Sequence, residues 1–114
     1  MYKLELSHSE RNFLFQIFTI KADFSFSSEV YKPVYRDLAD RIGKGLSDKS
    51  PVTMCFSVQE FEVLHATMHG MKGSIYSQGK VEGLDKQARK KLKRLYQPVG
   101  AIINKMNQLQ RSLL

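Results

Sequence analysis

Apolar and polar residues alternate over Tyr2-Lys3-Leu4-Glu5-Leu6, and the alternation returns at Val52, Met54 and Phe56. A period of two sends successive side chains to opposite faces, so each stretch predicts a short strand with one buried face. The same signal follows both. Ser7 stands three residues before Glu10, and Ser57 three before Glu60. In this Ser-x-x-Glu spacing a hydroxyl and a carboxylate each satisfy an otherwise unpaired N–H at the start of a helix. Beyond the first box, Phe13, Leu14, Ile17 and Ile20 recur at helical steps, and beyond the second Phe61, Leu64 and Met68 do the same. Each set predicts an amphipathic helix.

Two further helices are predicted. One begins near Ser28 after a Ser-rich turn over residues 22–28, with Pro33 in its first turn, where no intrahelical N–H bond is lost. It buries Val34, Leu38 and Ile42 and ends at Gly43 and Gly45, leaving Leu46 to Pro51 as a linker. The helix through Phe61 weakens at Gly70 and Gly73, and residues 73–83, with three glycines, read as a long polar connection. Asp85 caps the last helix, whose apolar face is Leu84, Ala88, Leu92 and Leu95. Pro98 is expected to kink or restart it, and Ile102, Ile103, Met106, Leu109 and Leu113 continue as an amphipathic segment.

The expected fold is mainly α: four helices plus a small two-stranded antiparallel ribbon, in one domain over residues 1–114. Its order suggests internal duplication of a strand-helix-helix unit, with halves 2–46 and 52–114. Residues 2–21 match 52–71 at an offset of 50, with Ser7, Glu10 and Leu14 falling on Ser57, Glu60 and Leu64. Tyr31-Lys32-Pro33-Val34 matches Tyr96-Gln97-Pro98-Val99 at an offset of 65, so the second half holds 15 extra residues between its matching blocks.

Composition narrows the picture. A chain of 114 residues with 42% hydrophobic and 25% charged residues can bury one core without staples. Cys55 is the single cysteine, so no disulfide forms within the chain. The absence of an apolar leader or of a run near the ~20 residues that span a bilayer predicts a cytoplasmic protein with no membrane association.

Charge changes it more. Residues 1–50 carry eight basic and seven acidic side chains, whereas residues 51–114 carry ten basic and four acidic. Six of those ten, Lys86, Arg89, Lys90, Lys91, Lys93 and Arg94, fall within residues 86–94, which hold no acid. Such a run can neutralise nucleic-acid phosphates, and Tyr96 with Tyr76 can add stacking on exposed bases. The other reading of the same run is a solvated face.

His65 and His69 lie four apart on a helix, with Glu62 three before His65, a fragment of a helix-bundle metal site. The matching positions in the first half are Asn12 and Phe15, so no second copy exists, and zinc would need His8 or Cys55 as a further ligand. No metal site and no cofactor is predicted. Cys55 reads as a passive, half-buried strand residue. No nucleophile–base set, phosphate-cradling glycine loop or carboxylate pair stands out, so no enzyme is predicted.

The sequence therefore points to a small non-catalytic binding module that contacts nucleic acid through residues 86–94. The alternative is a regulator or accessory protein, of the sort encoded by bacteria and their mobile elements, that docks on a larger protein partner. A metal protein or enzyme using His65 and His69 is the remote reading. Residues 102–113 either close the monomer's core or form a dimer seam.

Overall fold

Both capping boxes form. Ser7 N–H donates to Glu10 Oε1 at 2.8 Å and Glu10 N–H to Ser7 Oγ at 3.2 Å; the Ser57 and Glu60 pair repeats this at 2.8 and 3.1 Å. A computed structural model describes residues 2–23 and 29–112. Its elements run β1 (Tyr2–Leu6), α1 (His8–Asp23), α2 (Lys32–Gly43), β2 (Val52–Phe56), α3 (Val58–Gly79) and α4 (Lys86–Ser112). The fold is mainly α, and β1 pairs with β2 in a two-stranded antiparallel sheet. The predicted Ser-rich segment from 24 to 28, including the helix start near Ser28, and Leu113 lie outside the described residues.

The chain divides into two compact units, Glu5–Met54 and Met1–Leu4 with Cys55–Leu114. In the first, α1 packs on α2. The buried line of α1 is Arg11, Leu14, Phe18 and Ala22. The expected face of Phe13, Leu14, Ile17 and Ile20 is right at Leu14, which is fully buried, and wrong at Ile20, which is 60% exposed. Two apolar stripes compete on this helix, and the one chosen includes a charged residue. Arg11 is buried because its guanidinium has work at the end of α2: Nη2 donates to the carbonyls of Ile42, at 3.3 Å, and Lys44, at 2.9 Å. The His8 ring contacts the Leu46 carbonyl through Nε2 at 2.9 Å. The first turn of α1 thus satisfies carbonyls that α2 leaves open at its C-terminus.

The expected end of α2 is correct. It stops at Gly43, and Gly45 takes a φ of 74°, the left-handed region that suits glycine. Gly43 is favoured for a different, steric reason. A Cβ there would lie 2.6 Å from two carbons of the Phe15 ring. Gly43→Ala is therefore expected to push Phe15 out of place and to lower unfolding stability by about 1–3 kcal/mol, measured by urea denaturation. No change in the midpoint would show that the ring moves freely.

In the second unit, α3 packs on α4. Phe61, Val63, Leu64 and Met68 of α3 and Val99, Ile102, Ile103 and Met106 of α4 are all buried. Tyr2 stacks on Phe61 with ring centroids 4.1 Å apart. Residues 73–79 are not the expected connection but the last turns of α3, and α4 does not restart at Pro98 but continues as one helix from Lys86 to Ser112. Proline removes the N–H that would bond the Arg94 carbonyl, but residue 94 is exposed, so water can serve that carbonyl. Asp85 caps α4 as expected, its Oδ1 accepting from Ala88 N–H at 2.7 Å.

Candidate nucleic-acid interface

The α3–α4 hairpin has two parts of different character. Every buried residue of α3 lies at or before Met68, and every buried residue of α4 at or after Val99. Between them, residues 69–98 bury nothing completely. The helices α1 and α2 have 16 and 12 residues, whereas α3 and α4 have 22 and 27. The extra length of the second half is thus helix, and this outer part of the hairpin takes no share in the closed core.

All six expected cations sit on its α4 side, and they do not act alike. With about 3.6 residues per turn, Lys86, Arg89, Lys90 and Lys93 fall along one flank, while Lys91 and Arg94 lie further round. Arg89 and Lys93 join Tyr96, Leu92 and Gln97 in lining a groove of about 630 Å³, whose other wall is Ile75, Tyr76, Gly79 and Lys80 of the α3 side. Lys80 was not among the expected residues. Its Nζ stands 4.3 Å from the centroid of the Tyr76 ring, which a search for basic runs cannot find because Lys80 is isolated in sequence. Tyr76 and Tyr96 are 65% and 42% exposed, and Leu95, expected on the apolar face, is 44% exposed.

The electrostatics of this flank are uncompensated. Among the described residues, none of the six cations has a carboxylate partner. From Lys86 to Ser112, α4 contains no acidic residue, and its first turn, where the helix dipole is positive, holds basic ones instead. Lys86 and Lys90, Arg89 and Lys93, and Lys90 and Arg94 are like-charge pairs at four-residue spacing, each costing an isolated helix about 0.2–0.5 kcal/mol.

Tyr96 separates this groove from a second depression of about 360 Å³, lined by Lys72, Gly100, Ala101, Ile103 and Asn104 together with Tyr96 and Gln97. The Tyr96 ring lies close along its own helix, since a Cβ on Gly100 would come within 3.3 Å of it.

The other expected sites are placed as follows. His65 and His69 face each other with Nε2 atoms 3.0 Å apart, and among the described residues no third His, Cys, Asp or Glu joins them in a metal-binding group. Desolvation, then His65 and Lys72, hold the His69 pKa below the ordinary 6.5. The unfolded chain therefore takes up a proton that the folded one resists, so the contribution is present above pH 6.5 and is lost as pH falls below it. His69→Gln is expected to lose less thermal stability than wild type between neutral and mildly acidic pH; equal losses would show that the pair does not matter. Cys55 is half-buried. Ile102, Ile103 and Met106, in the segment 102–113 expected either to close the core or to form a dimer seam, are buried. No described helix is long and apolar enough to cross a membrane.

No protein-family model, curated protein or solved structure matches this chain.

Proposed function

We propose that the protein is a non-catalytic module that binds nucleic acid through the outer part of the α3–α4 hairpin. One observation carries the reading: a flank of unpaired cations stands where the helix itself gains nothing from them. Lys86, Arg89, Lys90 and Lys93 repel one another, and Lys86 and Arg89 stand in the first turn, where the helix dipole is positive. They also lie on a stretch that buries no residue completely. An array of phosphates removes both costs and releases its own condensed counterions on contact. Arg89 supplies a planar fork for phosphate oxygens, and the lysines supply point charges.

The test is a titration of nuclease-treated protein into labelled RNA and DNA over a range of salt. Two variants of equal net charge run beside it, Arg89→Gln with Lys93→Gln, and Lys91→Gln with Arg94→Gln. Binding that falls steeply with salt, and falls further in the first variant than in the second, supports the reading. Equal losses in both would reduce the effect to bulk charge. Failure of the wild type to bind at low salt would remove the reading, and the flank would then suit an acidic protein partner sought by pull-down.

A further inference from the structure

Phosphate contact by itself does not choose between a duplex and a single strand. The groove does. A polyanion-binding surface needs only cations, yet this one sets two exposed tyrosines, Tyr76 and Tyr96, among Lys80, Arg89 and Lys93, with Ile75 and Leu92 also in its lining. Its volume of about 630 Å³ lies inside the range of about 300–1,000 Å³ typical of small-molecule seats. In a duplex the base faces are stacked on one another, and only the edges reach the grooves. An unpaired base offers its face, and an aromatic ring stacks on that face whatever the base.

We infer that this groove takes a single-stranded nucleic acid, with an unpaired base stacked at Tyr76 and Tyr96 and the flanking phosphates held by Lys80, Arg89 and Lys93. The inference rests on the reading of the hairpin as a nucleic-acid surface. The second depression extends it. Tyr96 and Gln97 border both hollows, and the far one adds Lys72 and Asn104. Tyr96 is thus a partition between two seats, with a cation available on each side, as successive nucleotides of one strand require. Lys80 Nζ lies 4.3 Å from the centroid of the Tyr76 ring, so a base that takes that face moves the ammonium aside toward a flanking phosphate. The ligand is RNA or single-stranded DNA; both offer the same base faces and phosphates, and the 2′-hydroxyl separates them.

The full chain is titrated by fluorescence anisotropy into a labelled oligo(U), an oligo(dT) and a DNA duplex of equal length at one salt concentration, then over a salt series. Alongside run Tyr76→Leu, Tyr96→Leu and their double variant, which keep apolar bulk but lose the π face, and Tyr96→Phe, which keeps it. Both tyrosines are largely exposed, and circular dichroism checks that each variant is folded. The expected result is a clear preference of the wild type for single strands. Each Leu change should weaken single-strand binding by roughly tenfold, in line with the contribution of a stacked base. Duplex binding and the salt slope should stay unchanged, and Tyr96→Phe should behave as wild type. Comparison of oligo(U) with oligo(dT) identifies the strand.

Equal affinity for duplex and single strands, with no effect of the Leu changes, would overturn the inference while leaving the phosphate-contact reading intact. No salt-dependent binding to any of the three would remove both. Competition by polyglutamate at the same concentration as oligo(U), weakened equally by the Leu changes, would also overturn it and assign the groove to an acidic protein segment.

Discussion

Lys86, Arg89, Lys90 and Lys93 changed together to Gln are expected to lower nucleic-acid affinity by roughly a thousandfold near 0.1 M salt. The number follows from counterion release. Each phosphate contact contributes about 0.7 to 0.9 to the slope of log K against log salt, so four lost contacts flatten that slope by about 3. The counterion term vanishes near 1 M salt, one decade higher, so a slope change of about 3 is about 10³ in affinity, or ~4 kcal/mol. The folded state should not suffer. All four side chains are exposed and unpaired among the described residues, and the like-charge pairs Lys86–Lys90, Arg89–Lys93 and Lys90–Arg94 disappear. Circular dichroism and a salt series on the same preparation separate the two effects. A variant that keeps both its affinity and its slope would show that these residues are only a solvated face.

Phe18→Ala carries the largest expected effect on stability, a loss of about 3–5 kcal/mol from a total of about 5–15. Phe18 is fully buried and stacks on Tyr35 at 6.0 Å, so truncation removes apolar contact and leaves a cavity that neighbouring helices fill only in part. Ile20→Ala, two residues further along the same helix, is expected to cost less than about 0.5 kcal/mol, as surface changes do. Urea unfolding of both variants decides which stripe of α1 faces inward. A greater loss at Ile20 than at Phe18 would put the wrong face of α1 in the core.

That pair shows where the pattern misleads. Phe13, Leu14, Ile17 and Ile20 recur as regularly as Leu14, Phe18 and Ala22 do, and Leu14 belongs to both sets. Only the second stripe runs through Arg11, which a hydrophobic pattern counts as a surface position. The side chain is buried because it bonds carbonyls at Ile42 and Lys44, more than thirty residues away, and no local rule contains that partner. The connection over residues 73–83 failed for a related reason. Glycine lowers helix propensity by about 1 kcal/mol, so Gly70, Gly73 and Gly79 suggested an end. None of the three meets a neighbour that would demand glycine, and pairing with α4 carries the helix past them.

The candidate site was half legible. Six of its cations fall within the nine residues 86–94, and charge can be counted. Tyr96 follows them closely enough to be noticed. Their division into a groove-lining pair, Arg89 and Lys93, and an outlying pair, Lys91 and Arg94, needs a helix with its buried face assigned. Lys80 and Lys72 needed the second helix laid beside the first.

By itself the sequence determined the features that one turn or one strand can settle. These are the two capping boxes, the two alternating strands, the end of α2 at Gly43 and the cap at Asp85. In the boxes, the helix end and the cap the interacting groups lie within about four residues, so the energy is local, while each strand is announced by its own period of two although its partner lies about fifty residues away. Only the tertiary structure decided which face of α1 is buried, how far α3 runs, that α4 passes through Pro98, and that Tyr76, Lys80, Arg89, Lys93 and Tyr96 share one groove. Those outcomes rest on burial and hydrogen bonds between segments far apart in the chain, where weak local preferences yield to packing.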